Sequence, residues 1–171
     1  YDHCSIKDIQ KLVKKGTTII TSADAQSKIT RIEDVQMEVI EVGDELEFGN
    51  GSGFKVEAIA SYNVGKDFHS KADSFVGYLL KIGELILYHT GDSDKIPEMQ
   101  RLSGYGKHGN NFIALLPVSG TYVMTAEEAS EVASLLNVDL AIPMHYGAGV
   151  AGSLEDAERF VKLCSEKNIN A

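Results

Sequence analysis

Apolar and polar positions alternate along this chain with two different periods, and the switches between them mark out an α/β protein. Helical spacing opens it. Ile6, Ile9, Leu12 and Val13 share one face of a helix predicted over residues 5–16, with Ser5 and Asp8 in an S-x-x-D capping pattern and Gly16 as a stop. A β-branched run at residues 17–21 predicts a strand, and a brief helix follows over residues 23–29. Strand character returns at residues 35–40, 45–48 and 54–60, broken by Gly43-Asp44 and by the turn signal Asn50-Gly51-Ser52-Gly53. Residues 76–82 and 85–88 flank Gly83-Glu84 and read as a hairpin.

Beyond the hairpin the pattern becomes strand–helix–strand–helix. Residues 94–102 predict a short helix with Pro97 in its first turn. The run 111–117 reads as a buried strand. Thr125 and Glu128 form a capping box for a helix over residues 125–136, whose inner face is Ala129, Val132, Ala133 and Leu136. A strand at residues 140–144 and a helix over residues 153–167, with Phe160, Val161 and Cys164 inward, complete the chain. No internal repeat or linker interrupts it, so the 171 residues predict one domain with a sizeable core.

Charge narrows the function. Asp and Glu number 25 against 16 Lys and Arg, and the resulting −9 argues against a nucleic-acid or anionic-membrane surface. No apolar run reaches membrane-spanning length. Two cysteines, Cys4 and Cys164, are too few for a disulfide framework, which predicts a reducing compartment and a cytoplasmic location. Tyr1 is not a natural start, so the sequence reads as part of a longer chain.

The candidate chemistry lies where apolar runs end. Asp2 and His3 adjoin a predicted helix start, Asp92 follows a strand and Gly91, and His145 ends the strand 140–144. Loops after strands are where α/β chains gather ligands. Two Asp and two His offer the nitrogen and carboxylate donors that zinc and similar ions take. One ion is within reach of this set, and Asp92 is placed to bridge to a second. Gly104-Tyr105-Gly106-Lys107-His108-Gly109 matches G-x-G-x-x-G in letters, but a helix precedes it and a strand follows, the reverse of a dinucleotide motif. A flap near the site is the expectation for it.

The ordered pieces resemble the metallo-β-lactamase superfamily of metal-dependent hydrolases. Tyr1-Asp2-His3 is similar to the last three positions of H-x-H-x-D-H, Gly91-Asp92-Ser93 to the turn of the bridging aspartate, and His145 to the last histidine. Ala58-Ile59-Ala60-Ser61-Tyr62-Asn63, Phe68-His69-Ser70-Lys71, Tyr88-His89-Thr90-Gly91-Asp92, Leu115-Leu116-Pro117-Val118-Ser119-Gly120 and Pro143-Met144-His145-Tyr146-Gly147 resemble the ascorbate-6-phosphate lactonase-like branch. The resemblance implies a four-layer αββα sandwich with its N-terminal strands missing from this sequence, because the two leading histidines of the motif would precede Tyr1. It implies one or two divalent ions, zinc first and manganese as the alternative, held by Asp2, His3, His69, Asp92 and His145. The family's middle histidine falls near Asn63, which leaves Asn63 and His69 as rivals for that position.

The implied activity is hydrolysis of an ester, lactone, amide or phosphodiester of a small molecule, with Asp2 or Asp92 orienting the water and taking its proton. The alternatives are a non-catalytic metal- or small-molecule-binding protein on the same scaffold and a nuclease of the superfamily. His89 is expected to support Asp92 from behind or to pack at the strand end. An open sheet edge predicts poor stability or association of copies into a homo-oligomer.

Overall fold

The computed structural model describes residues 3–29, 32–49, 53–108, 111–149 and 151–171, so Tyr1 and Asp2 lie outside the described residues. Among the described residues, four α-helices run over Ile6–Leu12 (α1), Ala23–Ile29 (α2), Ala126–Leu136 (α3) and Leu154–Glu166 (α4). The strands are Thr18–Thr21 (β1), Gln36–Val39 (β2), Glu45–Phe48 (β3), Phe54–Ala60 (β4), Val76–Ile82 (β5), Leu85–His89 (β6), Asn111–Pro117 (β7) and Leu140–Met144 (β8). Strands β3 to β8 form one six-stranded sheet in chain order, and β1 pairs in parallel with β2 in a second, two-stranded sheet.

The alternation of each strand sorts its side chains onto two faces. Ile59, Leu79, Ile86, Tyr88, Phe112, Ala114 and Leu116 point to the helical side, where Val132, Ala133 and Leu136 of α3 and Phe160 and Cys164 of α4 close the main core. Val56 and Ala58 with Val76, Tyr78 and Leu80 point the other way, against Ile20 of β1 and Ile40 just after β2. Helices, six-stranded sheet and second sheet therefore stack in the order expected of the αββα class.

Direction within the sheet positions the site. Strands β3 to β6 are antiparallel neighbours, whereas β6, β7 and β8 are parallel. Strands β4, β6, β7 and β8 thus all run the same way, and the loops after them emerge at one edge.

Four expectations need correction, the first being Val161 of α4, expected inward but 38% exposed. Helix α1 stops at Leu12 because Val13 is extended. It buries no residue, and Leu12, expected inward, is 83% exposed. The segment after Asp94 forms only a 3-10 helix, Pro97–Leu102, and Asp94 itself is a buried charge. The described part of the glycine-rich stretch, residues 104–108, lies far from the site. Tyr105 bonds Glu57 and packs on Phe112 at the start of β7, while the site lies beyond the ends of β6 and β7, roughly 20 Å along a strand.

Candidate metal centre

Four loops and the segment before α1 supply the site. Asp92 follows β6, Ser119 follows β7, His145 follows β8, and Asn63 and His69 lie on the loop after β4. His3 comes from the N-terminal segment, next to the Ser5 cap of α1. The turn that presents Asp92 needs glycine twice. Gly91 has φ +66°, and Gly77 on β5 lies so close that a Cβ there would stand 2.5 Å from the Thr90 carbonyl oxygen. His69 and His145 both adopt the left-handed region, with φ of 46° and 60°. Histidine enters that region more readily than most side chains, and strain of this kind gathers at functional sites.

The Asp92 Oδ2 atom is the hub. His3 Nε2 stands 3.0 Å from it, His145 Nε2 3.5 Å and His69 Nε2 3.9 Å. Donor atoms of His3, Asp92 and His145 all lie within 4.8 Å of one another. Donors sharing one zinc at roughly 2.0–2.2 Å stand about 3–4 Å apart, so the chemistry and spacing of this set fit a single divalent ion. Burial pushes the Asp92 carboxyl up, but the His3 hydrogen bond and the charges of His3, His145 and His69 outweigh it and hold the group below the usual carboxylate range.

Two of the imidazoles that face Asp92 are braced from behind. His145 Nδ1 meets the Ser119 hydroxyl at 2.8 Å, and His69 Nδ1 meets Asn63 Oδ1 at 2.9 Å. His89 accepts from the Gly91 N–H at 3.1 Å, so it supports the Asp92 turn as expected. Burial first, then neighbouring His3, holds the His89 imidazole below its usual range against the pull of Asp92.

Asn63 and His69, the rivals for the middle position, stand differently in space. Asn63 is buried with both ends of its amide occupied, by Tyr122 O and by His69, and it is His69 that faces Asp92. Asp2 lies outside the described residues. Tyr146 packs toward the main core. Cys164 is fully buried, as its inner-face position predicts.

Two residues that hold the site together carried no signal in the sequence. Lys66 donates to Asp94 Oδ1 at 2.6 Å and to the carbonyls of Gly120 and Val123, while Asp94 Oδ2 accepts from the Val64 N–H. This ion pair ties the loops after β4, β6 and β7 to one another. Beside the hub a cavity of about 510 Å³ opens between the sheet and the β1–α2 segment, with Asp92, His3 and His69 in its wall beside Ile20, Val56 and Tyr78.

Known proteins share this arrangement of elements. A family described as a beta-lactamase superfamily domain matches residues 1–145. A relative from Thermoplasma volcanium, named a metal-dependent hydrolase, is 31% identical over 147 residues, covering 85% of this chain and 61% of its own. A crystal structure from Parabacteroides distasonis, described as a candidate metal-dependent hydrolase, superposes with a TM-score of 0.75 at 27% identity, covering 99% of this chain and 69% of that one. A metallo-beta-lactamase fold protein of Bacillus subtilis is alike in fold alone, with a TM-score of 0.63 at 13% identity over 97% of this chain and 66% of its own. The chain spans about three fifths of the length of the curated relatives it matches.

Proposed function

Because the chain belongs to the beta-lactamase superfamily domain family, we propose that it carries the metal centre of a metal-dependent hydrolase acting on a small molecule. The observation that carries the reading is the convergence of three imidazole nitrogens from three separate segments on one carboxylate oxygen. His3, His69, His145 and Asp92 would hold the ion, and Asp2, next to His3 in the sequence, is a further candidate. Zinc suits the nitrogen and oxygen donors first, and manganese is the alternative.

A divalent ion there supplies Lewis acidity, which brings the pKa of a water toward neutrality and polarises a carbonyl or phosphoryl oxygen. The chain's own part is to orient and to accept. Asp92, charged because its pKa is held low, can align a water by hydrogen bond. Asp2 or Asp92 takes the proton as the bond to the substrate forms. Ser119, Asn63 and the Gly91 amide keep His145, His69 and His89 from turning away. The cavity beside the hub is of small-molecule size, and the net charge of −9 works against a nucleic-acid substrate. Ester, lactone, amide and phosphodiester bonds are all within this chemistry.

The test is metal content per chain with turnover of an aryl ester, a lactone, an amide and an aryl phosphodiester, on the parent and on Asp92→Asn. The expected result is bound ion and hydrolysis of one class in the parent, with turnover lowered by about two orders of magnitude or more in the variant. Bound ion without turnover of any class would favour a non-catalytic binder, salt-sensitive cleavage of single-stranded nucleic acid a nuclease, and no ion at all would end the metal reading.

A further inference from the structure

The geometry points to Asn63 as a positioning residue that fixes the tautomer of His69, and through it the affinity of the centre for its ion. The inference rests on the metal reading above, but its argument comes from hydrogen-bond direction alone. The Tyr122 carbonyl oxygen can only accept, so the Asn63 group 2.9 Å from it must be the NH2 end of the amide. The other end of the amide is then Oδ1, which can only accept, and it faces His69 Nδ1 at 2.9 Å. In its neutral form His69 therefore carries its proton on Nδ1, which leaves the Nε2 lone pair on the side of Asp92, where an ion would sit.

The main chain reinforces this choice. The Asn63 N–H donates to the His69 carbonyl at 2.8 Å, closing the loop on which both residues sit. The Phe75 ring stands edge-on to the imidazole at 5.8 Å. Asn63 is buried, so water is not at hand to satisfy the amide in a flipped orientation. His145 is different. Its Nδ1 partner is the Ser119 hydroxyl, which can donate or accept and so selects neither tautomer. Of the two braces, only Asn63 commits its histidine to be a ligand through Nε2.

The experiment is a long-range proton–nitrogen correlation spectrum of the histidine rings in the full chain, metal-free and above the imidazole titration range, followed by metal affinity from competition with a chromophoric chelator. The parent should show His69 protonated on Nδ1. Asn63→Leu, of similar size without an acceptor, should release the tautomer and weaken zinc binding by about 10- to 100-fold, the range typical of lost outer hydrogen bonds. Asn63→Asp, which keeps an acceptor oxygen toward the ring, should restore the Nδ1–H form. If Asn63→Leu does not fold, the parent spectrum still decides. A proton on Nε2 in the parent overturns the inference, as does an Asn63→Leu variant with unchanged tautomer and affinity. Metal uptake with the wrong tautomer removes the role of Asn63 alone; the right tautomer with no uptake by the parent removes the metal reading alone.

Discussion

Replacing Asp94 by Ala should destabilise the chain far more than a turn carboxylate would suggest. Asp94 is 4% exposed, and its carboxylate takes a 2.6 Å bond from Lys66 and a 2.8 Å bond from the Val64 N–H. Removing it leaves an ammonium group held against the carbonyls of Gly120 and Val123 with no counter-charge. Breaking one side of a fully buried pair costs about 3–5 kcal/mol. The Lys66 side chain retains 25% exposure, which lowers the expectation to about 2–4 kcal/mol. For a chain of this size 1 kcal/mol moves Tm by roughly 2–4 °C, so a drop of about 6–12 °C is expected at the middle of that range. The assay is equilibrium unfolding by urea together with a thermal scan, on Asp94→Ala, Lys66→Met and the double variant. Lys66→Met alone strands a buried carboxylate and should cost at least as much. The double variant removes both charges and should lose less than the sum of the singles by about 2 kcal/mol or more. A loss under about 1 kcal/mol for Asp94→Ala, or additivity in the cycle, would refute the claim that this pair is desolvated and coupled.

Gly77→Ala should cost about 1–3 kcal/mol and weaken metal binding as well, because the added carbon meets the rigid carbonyls of Thr90 and His89 at 2.5 and 2.7 Å, next to the Asp92 turn; unchanged unfolding and chelator-competition curves would count against it. Burial pushes the Cys164 thiol from 9.0 up to about 11, so the folded chain keeps a proton that the unfolded chain releases, and stability from this group is lost as pH rises from about 9 to about 11. Thiolate absorbance in a Cys4→Ser background should give a midpoint near 11 in the folded chain, and a midpoint at the unfolded value would overturn this.

Local rules made much of the fold readable from the sequence. The capping box of Thr125 and Glu128 starts α3 as expected, with both of its hydrogen bonds formed. The Gly83-Glu84 turn joins β5 to β6, and α2 occupies residues 23–29 as its pattern predicts. What failed was long-range. Residues 35–40 and 45–48 read correctly as strands on either side of Gly43-Asp44, but nothing local told that β2 pairs with β1 and β3 with β4. The helical spacing of α1 promised a covered face, but no residue of α1 is buried. Asp94 and Lys66 are 28 positions apart, and nothing in either neighbourhood marks them as partners. Asp92 and His145 stood out because each ends a strand. His69 entered only through the family resemblance and as a rival of Asn63, because its place depends on a loop closed by Asn63, which only the folded chain reveals.

The way the site is braced has a consequence for how an ion would enter it. Each imidazole around Asp92 comes from a different segment, and the loops of His69 and His145 are held by contacts that do not involve the hub: Asn63 for His69, Ser119 for His145, and the Lys66–Asp94 pair between loops. The main core lies on the helical side of the sheet. The geometry is therefore set before any ion arrives, unlike small metal domains whose folding free energy is the binding free energy. The charge of Asp92 is met by His3, His145 and His69, the same groups that hold its carboxyl low. A metal ion takes only unprotonated imidazole nitrogens, so an ion bound there would displace any protons these rings carry. On the proposed reading Asp92 would serve twice, as the anion that gathers the imidazoles and as a ligand beside them.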